Sequence, residues 1–185
     1  MGRISRFFLS ALVLLCLVVC RAGFLQAQNE LPGAAFRISV QPWEEAGKIF
    51  RCDPHWLGGD GASSVDLGNG RVLWLFGDSF IDLSGSGSRK NAAIVRNSVA
   101  VQSGYNPETA RMSFSWKVLG NNPCSFFHEE RDDWFWPGSG VRIKDALLIF
   151  LVRVHKADNA LGFEPTGWKA VLVPNPDSAP TLWGL

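Results

Sequence analysis

The hydrophobic and polar positions of this chain form short segments that are typical of β-strands. From residue 62 onward, runs of branched and aromatic residues are separated by turn residues, as in antiparallel sheets. The Gly68-Asn69-Gly70 sequence predicts a hairpin turn. No later segment has a convincing amphipathic helical period. Strands are predicted at 62–67, 71–76, 94–103, 112–119, 138–143, 146–154 and 168–173, and another begins at 181–185.

These strands form two similar cycles. Each cycle has a short first strand, a turn and a strongly apolar second strand, which begins at Arg71 in the first cycle and at Ala146 in the second. Four-stranded antiparallel units that repeat along a sequence are the signature of β-propeller blades. The pattern predicts an all-β protein with a propeller fold, and a single β-sandwich is the alternative.

The N-terminal segment has the features of an export signal. Arg3 and Arg6 precede an apolar run at 7–19, which is too short to span a bilayer but has the length of a signal-peptide core. Leu25-Gln26-Ala27 is a suitable cleavage site. We therefore expect residues 1–27 to be removed and the mature protein to be secreted or periplasmic, without stable membrane insertion.

Composition and charge exclude several classes of protein. With 46% hydrophobic and 19% charged residues, the chain is not disordered, and its 19 glycines and 10 prolines indicate many turns. Removal of residues 1–27 leaves fifteen basic and seventeen acidic residues, a net charge of −2. This balance argues against nucleic acid as a partner. The three histidines have no ligand-like spacing, so we predict no metal and no other cofactor.

Two cysteines remain after the signal, Cys52 and Cys124. Extracytoplasmic compartments permit disulfides, and a Cys52–Cys124 bridge is therefore predicted. Two buried free thiols are the alternative, because a sequence does not give the separation of the two sulfur atoms.

Several ordered motifs carry a family resemblance. Together they resemble the secreted propeller family called domain of unknown function 4185, which is similar to five-bladed glycoside hydrolases and includes endo-D-arabinanases. The resemblance covers roughly residues 56–183. The motifs are WLGGDGASS at 56–64, NGRVLWLFGDSF at 69–80, RNS at 96–98, FWPG at 135–138 and LGFE at 161–164.

The resemblance implies a partial five-bladed β-propeller. An N-terminal extension at 28–55 precedes a first blade at about 56–120 and an incomplete second blade at about 134–185. At roughly 40–45 residues per blade, the 158 residues left after the signal hold three or four blades at most, and the motifs account for about two. The chain is therefore expected to be truncated, either a fragment or an early-terminated product, of a protein that is monomeric when complete.

The resemblance implies hydrolysis of a polysaccharide, with an arabinan-like substrate as the first candidate, if the complete domain is present. Glycoside hydrolysis requires two carboxyl groups that flank one bond. The resemblance assigns the catalytic base to Asp60, just before the first strand of its cycle. Asp78 ends the neighbouring strand, where it would tune the pKa of Asp60 or bind a sugar hydroxyl. The alternative is that both residues only cap turns beside glycine.

Four further residues are predicted to bind the substrate. Arg96 and Asn97 lie within a predicted strand, where they either face solvent or hold a carboxylate in place. Trp136 offers a flat ring to a sugar. Glu164 is a candidate general acid, although related five-bladed enzymes take this acid from a later blade.

Two other functions remain open at this point. The first is a non-catalytic propeller that binds carbohydrate or another surface. The second is an esterase of the GDSL type, because residues 76–80 (FGDSF) resemble its first block and make Ser79 the nucleophile. That family requires Asp-x-x-His, and neither His55, His128 nor His155 has an aspartate three positions before it.

Overall fold

The computed structural model describes residues 39–185, most of which belong to one compact unit, Trp43–Leu185. The signal peptide predicted at 1–27 lies outside the described residues, as does the beginning of the predicted extension, 28–38. Within 39–185, none of the helices has the length and apolar character of a membrane-spanning segment.

The described region is all-β, with one short α-helix and three 3₁₀ turns. The helix is α1 (Glu44–Lys48), and the 3₁₀ turns are Ile49–Arg51, Arg89–Asn91 and Pro180–Leu182. The strands are β1 (Trp56–Gly59), β2 (Ser63–Gly68), β3 (Arg71–Phe76), β4 (Ser79–Ile81), β5 (Ala93–Val95), β6 (Ser98–Ser103), β7 (Arg111–Ser115), β8 (Lys117–Leu119), β9 (Asn122–Cys124), β10 (Asp133–Ile143), β11 (Ala146–Lys156) and β12 (Phe163–Val173).

The strands pair in four antiparallel sheets. The largest has the order β2-β3-β6-β7, and a second sheet consists of the long strands β10-β11-β12. A three-stranded sheet, β1-β4-β5, and the hairpin β8-β9 complete the arrangement. Within residues 39–185 the sheets remain separate and do not close into a barrel.

Two apolar cores hold the sheets together. The first lies between the four-stranded sheet and β10-β11-β12, where Leu67 and Leu75 pack with Leu147 and Ile149. The second core lies on the opposite face of the four-stranded sheet, because successive side chains along a strand point to opposite faces. In this second core Trp56 stacks on Phe114 with ring centroids 4.2 Å apart. Each fully buried aliphatic or aromatic side chain stabilises the fold by about 1.5–3 kcal/mol.

Gly140 marks the closest approach of β10 to β2. A Cβ atom at this position would lie 3.0 Å from the Leu148 carbonyl oxygen and 3.1 Å from Val65 Cγ2. We expect Gly140→Ala to lower the free energy of unfolding by about 1–3 kcal/mol, because strand and side chain must both shift. Gly138 on the same strand is the matched control, since its added Cβ would meet only the Phe150 carbonyl oxygen, at 3.7 Å. Denaturant unfolding measures both free energies of unfolding, and equal values for Gly140→Ala and Gly138→Ala would contradict this packing.

The predicted hairpin and its two strands are confirmed. Asn69 and Gly70 both have positive φ, 53° and 75°, as the turn between β2 and β3 requires. Three strand predictions are wrong. The strand predicted at 94–103 is interrupted between β5 and β6, and the strand predicted at 112–119 is divided into β7 and β8, which belong to different sheets. Residues 181–185 are not a strand, because Pro180 begins a 3₁₀ turn that buries Trp183 against the first core.

The predicted Cys52–Cys124 bridge is not formed, and both residues are free thiols. Cys52 is exposed at the end of a 3₁₀ turn, where its Sγ lies 3.1 Å from the Ile49 carbonyl oxygen. Cys124 is half-buried in the β8-β9 hairpin, with its Sγ 3.6 Å from the Asn122 carbonyl oxygen. Each thiol thus faces local backbone rather than the other thiol. The alternative of two buried thiols does not describe Cys52 either.

Candidate functional site

Asp60 lies in a tight turn between β1 and β2. Its backbone N–H donates to the Asp78 carbonyl oxygen at 3.0 Å, and its own carbonyl oxygen accepts from Gly77 N at 2.8 Å and from Ala62 N at 3.1 Å. The last bond closes a three-residue turn over Gly61, which has a φ of 84°. Such turns are rare and strained, and backbone strain is concentrated at functional sites. The turn holds an exposed carboxylate that has no hydrogen-bond partner among residues 39–185.

Asp78 is half-buried, and both of its carboxylate oxygens are engaged. Oδ1 accepts a hydrogen bond from Trp136 Nε1 at 2.9 Å, and Oδ2 accepts from Arg96 Nη1 at 3.2 Å. Arg96 comes from the break between β5 and β6, and Trp136 comes from β10. Asp78 is therefore connected to the β5–β6 break by an ion pair and to the second large sheet by an indole hydrogen bond.

Three aromatic rings form one wall of the site. Trp134 and Trp136 share a face of β10, because strand residues two apart point the same way. Phe163 of β12 packs edge-on against both, with its ring centroid 6.1 Å from Trp134 and 5.1 Å from Trp136. The Arg96 guanidinium lies 4.5 Å from the ring centroid of Trp134, a cation–π contact.

Gly77 lies between these groups. A Cβ atom at Gly77 would lie 3.5 Å from Trp136 Cδ1 and 3.7 Å from Asp60 Cβ, both ordinary contact distances. The free carboxylate of Asp60, the engaged carboxylate of Asp78 and the edge of Trp136 therefore surround one point. The structure brings four of the predicted site residues together, Asp60, Asp78, Arg96 and Trp136, and their roles stay predictions.

Asn97 does not face this site, and the prediction that it binds substrate is wrong. Its side chain is fully buried. Nδ2 donates to the carbonyl oxygens of Phe127 at 3.2 Å and Phe135 at 2.8 Å, while Oδ1 accepts from Phe127 N at 2.6 Å. Asn97 is a structural amide that fastens the segment before β10 to the strand break.

Glu164 is also absent from this site. It is exposed, and its register partner on β11 is His155. The preceding Phe163 points to the Trp136 face, so Glu164 points to the opposite face of the same sheet. Glu164, the candidate general acid, therefore does not line this site in the described part of the chain, and its role stays a prediction.

A second polar cluster lies at this end of β10 and β11. Asp133 is buried and accepts hydrogen bonds from His155 Nδ1 and Arg153 Nε, each at 2.6 Å. Two hydrogen bonds lower the pKa of Asp133 below its usual value, and the bond from His155 contributes more than the bond from Arg153. The cluster lines an open cavity of about 690 Å³, and His128 and Glu129 also line this cavity. No periodicity or residue spacing in the sequence indicates this cluster, because its members meet only through strand pairing.

No group of three or more His, Cys, Asp or Glu residues within 39–185 is arranged to hold a metal ion.

Ser79 is buried, and its surroundings disagree with the esterase hypothesis. Its hydroxyl donates to the Gly77 carbonyl oxygen at 2.8 Å and lies 2.7 Å from Ser98 Oγ. Ser98 in turn accepts from Trp56 Nε1 at 3.0 Å. No histidine contacts Ser79 among the described residues, and the sheets are antiparallel rather than parallel.

A solved structure with a similar fold comes from Bacteroides ovatus ATCC 8483, a protein described as a candidate hydrolase. It superimposes with a TM-score of 0.62 at 20% identity and covers 79% of this chain, whereas this chain spans 43% of that protein. At this identity the similarity shows the fold alone. The search of curated proteins finds no match.

The family comparison is more specific. The motifs predicted a resemblance to domain of unknown function 4185, but the model that matches is a different one, described as Domain of unknown function (DUF5005), over residues 45–181. The match covers most of the chain, which therefore belongs to the DUF5005 family.

Proposed function

We propose that the Asp60–Asp78–Arg96–Trp136 site binds a polysaccharide and that Asp60 takes part in the hydrolysis of a glycosidic bond. The observation that carries this proposal is the contrast between the two carboxylates. Within residues 39–185 the Asp60 carboxylate is exposed and without a partner, yet the Asp60 backbone forms three hydrogen bonds, one each with Asp78, Gly77 and Ala62. A reactive carboxylate needs this combination of freedom and fixed position.

The other groups of the site have supporting roles. Asp78 is held by Arg96 and Trp136, so it positions these side chains and carries a charge beside Asp60. The flat apolar face of the Trp136 indole suits the C–H surface of a sugar ring. Asp60 would act as the base or nucleophile of a two-carboxylate mechanism. Its partner acid is not among the residues that contact this site within 39–185.

We further propose that the chain forms part of a five-bladed propeller of the type implied by the resemblance to domain of unknown function 4185. The order β2-β3-β6-β7 and the face-to-face packing on β10-β11-β12 support two adjacent blades. The outer face of the second sheet is apolar and uncovered, with Trp168 72%, Leu172 60% and Ile143 57% exposed. Exposed apolar side chains that share one sheet face are typical of a surface that packs against another element.

The test is product release from polysaccharides. Arabinan, xylan, galactan and pectin are incubated with the purified protein, and new reducing ends are measured over time. We expect release from at least one polysaccharide class, arabinan being the first candidate. The absence of both release and binding across the panel would contradict the proposal.

Binding without hydrolysis is the second candidate function. The observation that favours it is that the site holds a single unengaged carboxylate, Asp60. In that case affinity electrophoresis would detect retardation by a polysaccharide that yields no reducing ends, and substitution of Asp60 would alter affinity only.

A further inference from the structure

Trp134 carries a buried N–H group that has no partner. The residue is 8% exposed, and its Nε1 is the one buried side-chain nitrogen or oxygen within residues 39–185 that lacks a hydrogen bond. By contrast, Trp56, Trp74 and Trp136 all donate their Nε1 hydrogens to side-chain oxygens. A buried donor without a partner has lost its hydrogen bond to water and gained none in return, which is unfavourable. Such an atom at the wall of a candidate site points to an acceptor that arrives with a ligand.

Arg96 has unused donors beside the same ring. Its guanidinium lies over Trp134, and of its five N–H groups the side chain uses one, on Nη1, for Asp78. Nε and Nη2 have no partner among the described residues. The side chain is 40% exposed, so these unused donors are open to a ligand that approaches from solvent.

We infer that Arg96 and Trp134 bind a carboxylate, and hence that the polysaccharide contains uronic acid residues. This inference rests on the proposed function and names its substrate class. The unused groups at Arg96 and Trp134 are donors only, which matches a carboxylate because it accepts hydrogen bonds and donates none. A sugar hydroxyl can also accept from these donors, but a hydrogen bond from the Arg96 guanidinium to a carboxylate is stronger than one to a neutral hydroxyl. Asp60 remains available to accept from a sugar hydroxyl.

Matched oligosaccharide pairs test the inference. Oligogalacturonate is compared with its methyl ester, and glucuronoxylan oligomers with unsubstituted xylo-oligosaccharides, by titration calorimetry. We expect the carboxylated member of at least one pair to bind about tenfold more tightly, with a preference that falls as salt is added. Equal affinity within both pairs would overturn the inference while glycan binding stands. Failure to bind any oligosaccharide would overturn the proposed function as well.

Two variants assign the preference to these side chains. Trp134→Phe keeps an aromatic ring in contact with Arg96 and removes the Nε1 donor together with part of the indole, while Arg96→Lys keeps the charge and removes the planar fork. Both should reduce the carboxylate preference several-fold, with folding verified by denaturation. Arg111→Gln, an exposed position on β7, is the matched control and should leave the preference unchanged. Full preference in both site variants would overturn the assignment.

Discussion

Asp60→Asn is expected to keep its fold and to lose glycosidase activity by about 10²–10⁴-fold, the usual contribution of a positioned acid or base. The Asp60 side chain is exposed and makes no hydrogen bond within residues 39–185, so its replacement removes no stabilising contact. The amide has nearly the same shape but neither accepts a proton nor attacks a sugar carbon. Initial rates of reducing-end release measure the effect.

Asp158→Asn is the matched control, because Asp158 is also exposed and its carboxylate has no hydrogen-bond partner in the described region. We expect full activity from this variant. The unfolding free energy of both variants should stay within about 0.5 kcal/mol of the parent protein. Undiminished activity in Asp60→Asn would remove Asp60 from the mechanism.

Asn97→Ala is expected to lower the free energy of unfolding by about 3–5 kcal/mol, among the largest effects that a single substitution produces. The change removes three hydrogen bonds and leaves Phe127 N and the carbonyl oxygens of Phe127 and Phe135 buried without these partners. Each such group costs about 1–3 kcal/mol. Urea unfolding followed by tryptophan fluorescence measures the loss.

Asn91 provides the comparison for Asn97, since it is exposed and its side chain makes no hydrogen bond among the described residues. Asn91→Ala should change stability by less than about 0.5 kcal/mol. A loss below about 1 kcal/mol in Asn97→Ala would show that the buried amide does not fasten the segment before β10. The same variant should also weaken the site indirectly, because Asn97 follows Arg96 in the strand break.

Local patterns predict the part of the site that depends on one hairpin. Gly68-Asn69-Gly70 sets the turn, and antiparallel pairing then brings the far ends of β2 and β3 together. Asp60 and Asp78 lie just beyond those ends, and their backbones form a hydrogen bond. Their proximity therefore follows from the sequence once the hairpin is recognised.

Contacts between distant segments decide the rest. Arg96 and Asn97 are adjacent polar residues, and only the backbone of Phe127 and Phe135 determines that Asn97 turns inward. The sheet face on which Glu164 lies depends on register, and the register of β12 shifts opposite Arg153 and Val154. The sequence alone therefore does not predict that face. No sequence pattern distinguishes Trp134, whose N–H lacks a partner, from the tryptophans whose N–H groups are bonded.

The most direct test of the central claim is a crystal structure of the Asp60→Asn variant with a bound oligosaccharide. The account predicts a sugar ring against Trp136, with a glycosidic oxygen next to position 60 and with Asp78 still bonded to Arg96 or Trp136. An oligosaccharide bound elsewhere, such as in the cavity lined by His128 and His155, with no contact to position 60, would contradict it.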